Sequence, residues 1–222
     1  METIRIFSPA HKALRKTMAA FLVLAGQTNF KNEKAVEKLK SEGNEMFFLL
    51  TSHAEAEDTI ILSALENKLP GASEHDKNDH IKIHQLQHQL EVQLNRLNTS
   101  VSENEAHVFY LEFASFFSIY LEHIDEEETV TQKLIWENFS TMEQMAIRVS
   151  IVSKMKPEVY ATWLKHIIPA QNETENLAML VAIQKNMPAE NFHSLMELLE
   201  KNMSADDFLS LTMHLSTVAI QG

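Results

Sequence analysis

The sequence predicts an all-α protein: an up-down-up-down four-helix bundle over residues 1–139, then an extension of short helices over residues 140–222. Three observations carry this expectation. Apolar residues recur at helical spacing along four long stretches. Only 4 Gly and 5 Pro interrupt 222 residues, so turns are few and elements are long. No stretch alternates apolar and polar residues as a half-buried strand does.

The first helix runs from about Ile4 or Ser8 to Ala25. Ser8-Pro9 is a start signal, since proline is tolerated in a first turn. Phe7, Leu14, Met18, Phe21 and Ala25 form its stripe, and His11 falls inside it. Gly26-Gln27-Thr28-Asn29 closes it. The second helix spans roughly Asn32 to Asn67, with an inner stripe of Met46, Leu49, Leu50, His53, Glu57, Ile60, Ile61 and Ala64. Leu69-Pro70-Gly71 ends that segment.

The third helix covers about Ser73 to Leu97. Ile83, Leu86, Leu90, Leu94 and Leu97 mark its buried face, with His80 and His84 on the flank and His84 the further out. The fourth starts near Ser102, where Ser102-Glu-Asn-Glu105 is a capping box. Phe109, Phe113, Phe116, Tyr120, His123, Glu127, Val130 and Leu134 make one continuous stripe. Glu122, Asp125, Glu126 and Glu128 fall on other faces and read as solvated charge.

After about Ser140 the elements shorten. Start signals recur at Ser140, Pro157 and Asn172. Lys185-Asn-Met-Pro-Ala-Glu-Asn-Phe192 returns as Lys201-Asn-Met-Ser-Ala-Asp-Asp-Phe208. Each copy places a base before the break and acid in the new first turn, the chemistry of helical hairpins. Two copies are too few and too short for a solenoid.

Composition narrows the function. The net charge of -12 gives no counterion-release gain on nucleic acid and disfavours anionic membrane surfaces. No apolar run approaches the roughly 20 residues of a membrane span. The N-terminal residues lack a signal-peptide core, and the expected location is cytoplasmic. With 0 Cys there are no thiolate nucleophiles, zinc–thiolate sites or cysteine-held iron–sulfur clusters. Metal chemistry must rest on His, Asp and Glu, and 11 His are present.

The polar residues inside the apolar stripes are the anomaly. Residues at i and i+4 share a helix face, so His53 with Glu57, His80 with His84, and His123 with Glu127 each aim two groups at one point. His11 adds a seventh. A buried, unpaired carboxylate costs several kcal/mol, and a neighbouring cation removes that cost. Helices packed side by side build carboxylate-bridged two-metal sites this way. The expected metal ligands are therefore His11, His53, Glu57, His80, His84, His123 and Glu127. No Gly-rich phosphate loop, nucleophile elbow or zincin motif accompanies them.

The set His11, His53-Ala-Glu-Ala-Glu57, His80-Ile-Lys-Ile-His84 and His123-Ile-Asp-Glu-Glu127 resembles the hemerythrin-like, or HHE cation-binding, family over about Ile4 to Asn138. The resemblance implies two iron ions joined by an oxo or hydroxo group. One would be held by His80, His84 and His123 and the other by His11 and His53, with Glu57 and Glu127 bridging. Manganese or zinc suits the same ligands. The ion with two His would carry the open position. The oxygen carriers place an aspartate five residues after the last histidine, whereas Glu127 stands at four, and they lack the C-terminal extension.

The expected function is a non-haem di-iron protein that binds or senses O₂, NO, peroxide or iron. The alternatives are a di-iron enzyme (peroxidase, NO reductase or iron–sulfur cluster repair) and a helical scaffold with adventitious metal. The expected partners are a small diatomic ligand or peroxide, and a second copy or a protein partner at the C-terminal helices.

Overall fold

The computed structural model describes the backbone of residues 4–221 and the side chains of residues 4–216. Among the described residues every regular element is helical. The chain divides into two compact units, Met1–Lys154 and Met155–Gly222.

The first unit begins with α1 (Ser8–Gln27) and α2 (Glu33–Ala56). A π-helical turn, Glu57–Ile61, links α2 directly to α3 (Leu62–Lys68). After α4 (Glu74–Arg96) the arrangement repeats. α5 (Glu103–Glu126) runs through a second π-helical turn, Glu127–Thr131, into α6 (Gln132–Asn138). The last element is α7 (Thr141–Lys154). The start signals act as their chemistry requires. The Asn32 side chain accepts from the Ala35 amide, and Ser102 and Glu105 form a reciprocal capping box.

α1 packs on α2 and α5, and α4 packs on the same two helices, so the four long helices share one interior. On one side of the polar residues this interior is aromatic. Phe21 meets Phe47, Phe109 and Phe113 with ring centroids 6.4, 6.4 and 4.7 Å away. Gly43 is required here by close approach, because a Cβ would lie 2.5 Å from Leu94 and 2.8 Å from Phe21. On the other side Ile6, Phe7, Ile60, Ile61, Leu65, Ile135, Phe139 and Ile147 form a second apolar cluster. Along α1, α2 and α5, the His and Glu positions fall between these two regions.

Two expectations change. Val130 is 51% exposed and Leu134 only partly buried, while Thr131, Gln132 and Ile135 face inward. A π-turn inserts one extra residue per turn, which advances the inward set by one position. Likewise Ala64 is only partly buried and Leu65 is fully buried. The compact unit also reaches Lys154, past the expected boundary after residue 139. α7 supplies Ile147 to the second apolar cluster, and Glu143 pairs with Lys68 at 2.6 Å.

The second unit contains α8 (Pro157–Ile167), a 3₁₀ turn (Ile168–Ala170), α9 (Glu173–Asn186), α10 (Ala189–Asn202) and α11 (Ala205–Gln221). Its core is Leu164, Ile168, Leu180, Ile183, Leu195, Leu199 and Leu211. The two copies of the short repeat fall on the breaks between α9, α10 and α11, and Met187 and Met203 pack onto the same core. No described helix is long and apolar enough to cross a membrane.

Candidate metal centre

The N-terminal segment is pinned before α1 begins. The Ile6 amide donates to Gln132 Oε1 at 2.7 Å, and the Trp136 indole N–H donates to the Ile4 carbonyl at 2.8 Å. This anchors the first turn of α1, which carries His11 into the interior with no exposed surface. α2 brings His53 and, at its end, Glu57. α5 brings His123 and, at its end, Glu127. α4 brings His80. All six are buried.

Their donor atoms converge in two overlapping groups. One is His11, His53, Glu57 and Glu127; the other is Glu57, His80, His123 and Glu127. In each group the ligating atoms lie within 4.8 Å of one another. His11 Nε2 is 3.0 Å from His53 Nε2, 3.3 Å from Glu127 Oε2 and 3.5 Å from Glu57 Oε1. His80 Nε2 is 3.4 Å from Glu57 Oε2 and 3.5 Å from Glu127 Oε1. The two His pairs are alike: the His11 and His53 rings, and the His80 and His123 rings, have centroids 4.9 Å apart and meet edge to face.

These side chains fit a cation better than they fit one another. All four oxygens of Glu57 and Glu127, and His80 Nε2, are buried without a hydrogen-bond partner. Two ligands each about 2.1 Å from one ion, and at right angles about it, lie roughly 3.0 Å apart. The spacings above sit at or a little beyond that value. Imidazole nitrogen with carboxylate oxygen suits iron, manganese or zinc.

Both π-turns begin on a glutamate of this site, Glu57 and Glu127. Such turns are frequent at functional sites. Each glutamate is followed by a second acid that turns to the outer nitrogen of a histidine on another helix. His80 Nδ1 bonds Asp58 Oδ1 at 2.9 Å, and His11 Nδ1 bonds Glu128 Oε1 at 3.0 Å. Arg15 also donates to Glu128, at 2.9 Å. These outer contacts orient the rings so that Nε2 faces inward, and they raise the basicity of that nitrogen. Glu128 is therefore not a solvated surface charge as its position suggested. The paired acids Glu57-Asp58 and Glu127-Glu128 were the available signal for both partners.

Charge in the metal-free centre is balanced by protons. Burial opposes charge on His11, but Glu127, Glu128 and Glu57 outweigh it and hold its pKa well above the ordinary value. At His80 burial is likewise outweighed by Glu127 and Glu57, and the pKa rises to about 11. Burial prevails at His53, lowered to about 4, and also lowers His123. Burial opposes ionisation of Glu57 and Glu127, yet the surrounding imidazoles keep both below the usual carboxylate range. Two imidazolium ions thus offset two carboxylates. The buried Asp76 receives a hydrogen bond from Thr131 in the second π-turn, and burial raises its pKa to about 6.

His84 is left outside this constellation. The inward set on α4 is Asp76, His80, Ile83, Gln87, Leu90 and Leu94. That set alternates by four and three, the spacing of a seam between packed helices. Position 84 falls one step off the seam, and its side chain is exposed. The third nitrogen expected for the His80 group is therefore absent from it.

Four long helices with inward-facing histidines and two shared glutamates define an all-helical protein with a buried candidate metal centre. A family model described as the hemerythrin HHE cation-binding domain matches residues 2–135. The chain belongs to that family. No curated protein matches it.

Proposed function

We propose that the first unit is an up-down-up-down four-helix bundle holding two iron ions. His11 and His53 would hold one and His80 and His123 the other, with Glu57 and Glu127 shared between them. The observation that carries this reading is the pair of buried glutamates, whose four oxygens lack hydrogen-bond partners while four imidazoles surround them. Leaving one such carboxylate uncompensated costs several kcal/mol. Bound iron supplies a redox-active centre for small oxygen or nitrogen ligands such as O₂, NO or peroxide. The protein's contribution is to orient the imidazoles through Asp58 and Glu128 and to keep water from the shared carboxylates.

The function that follows is binding or sensing of such a ligand. The Met155–Gly222 unit lies outside the family match and is the part of the chain that would pass ligand state to a protein partner or a second copy. The test is metal analysis and visible spectroscopy of aerobic protein reconstituted with iron. The expected result is two iron ions per chain with an oxygen-dependent absorption band, both lost in Glu57→Ala. A colourless protein that retains no iron would remove the proposal.

A further inference from the structure

A pocket of about 340 Å³ opens between α2, α4 and α5. Leu50, Ala54, Ile83 and Tyr120 form its apolar wall, and His80 and His123 line it. Asp58, Lys77 and the exposed His84 also line it. None of His11, His53, Glu57 or Glu127 lines the pocket. In the other half His11 has no exposed surface and Phe7 stacks on its ring at 5.5 Å, while His53 is 6% exposed, as His123 is.

The two halves also have equal protein ligands. With His84 off the seam, each holds two histidines and the shared glutamates. Ligand number therefore no longer marks the His11 half as the open one, and access decides. A ligand reaching the centre through this pocket meets His80 and His123 first. The volume is roughly ten times that of one water, so it admits molecules larger than a diatomic.

We propose that the ion at His80 and His123, rather than the ion at His11 and His53, is the one that takes the external ligand, a small oxygen or nitrogen donor entering through this pocket. This rests on the two-iron reading above. It reverses the polarity that the family resemblance implies, because the histidine that would close the His80 half lies outside the ligand set.

The experiment uses the full chain reconstituted with iron and titrated with azide, followed by its visible absorption. Wild type holding fewer than two iron ions would sink the two-iron reading before azide is added. With two present, Ala54→Leu fills part of the pocket without replacing any ligating side chain, and azide affinity falls about tenfold or more at unchanged iron content. His84→Ala keeps both ions. An Ala54→Leu protein that is fully loaded and binds azide like wild type overturns the proposal. So does loss of one ion in His84→Ala, since His84 would then fill the position. Should Ala54→Leu fail to fold, a crystal structure of the wild-type azide form decides: azide on the ion beside His80 supports the proposal, and azide on the ion beside His11 overturns it.

Discussion

His11 and His80 hold matching places in the two halves of the centre. Each turns Nε2 toward Glu57 and Glu127, and each bonds through Nδ1 to the acid that follows one of those glutamates. Yet Glu128, which serves His11, is clamped by Arg15 and only 29% exposed, whereas Asp58, which serves His80, is 42% exposed and lines a pocket. The same local device, a π-turn bearing two consecutive acids, ends on a clamped acid beside His11 and on a half-exposed acid at a pocket beside His80. The local sequence builds the ligand geometry, and the neighbouring helices set its access.

The largest effect should strike both halves together. On the proposed two-iron arrangement Glu127→Ala removes a carboxylate common to both ions, so metal analysis should find both lost. The metal-dependent part of the melting temperature should vanish with them. That part is worth about 4 kcal/mol when free metal exceeds its dissociation constant about a thousandfold. Retention of one tightly held ion would show that the carboxylate is not shared.

Asp76 probes the charge between the halves. Its pKa is raised when folded, so its stabilising contribution is complete below the unfolded value near 3.8 and is lost as pH rises through about 6. In the metal-free protein Asp76→Asn should therefore add up to about 3 kcal/mol at pH 8 and little at pH 4, measured by urea unfolding. Bound cations favour the ionised form, so the gain should shrink in the loaded protein.

The outer acids test the asymmetry itself. Glu128→Ala should weaken one ion by about 10–100-fold, and Asp58→Ala should weaken the other toward the lower end of that range. Water can reach the half-exposed Asp58 site and replace its acceptor. Competition with a chromogenic chelator resolves the two, and equal losses would erase the distinction drawn above. Metal uptake should also release protons, because the charged His11 and His80 must deprotonate to ligate. Affinity should consequently rise with pH, and calorimetry in buffers of different ionisation enthalpy measures the release. Gly43→Ala should leave the comparison untouched. It costs about 1–3 kcal/mol by crowding Phe21 and Leu94, with no change in metal content.

The four long helices, their capped starts and the inward placement of six of the seven suspected ligands were legible because each rests on local periodicity. A histidine inside a run of Phe and Leu at helical spacing has one direction to face. The same logic misjudged Val130, since nothing in the spacing announces an inserted π residue. It placed Glu128 in water because its partner, His11, is 117 positions away. His84 matched a motif by spacing, but the seam on α4 runs through Ile83 and Gln87.

Helical period and apolar patterning act within a few residues, and they are enough to choose the elements and their inward faces. Which acid meets which imidazole, which histidines adjoin a pocket and which side chains converge are distances between helices far apart in the chain. Packing alone sets those distances, and packing made two similar halves unequal.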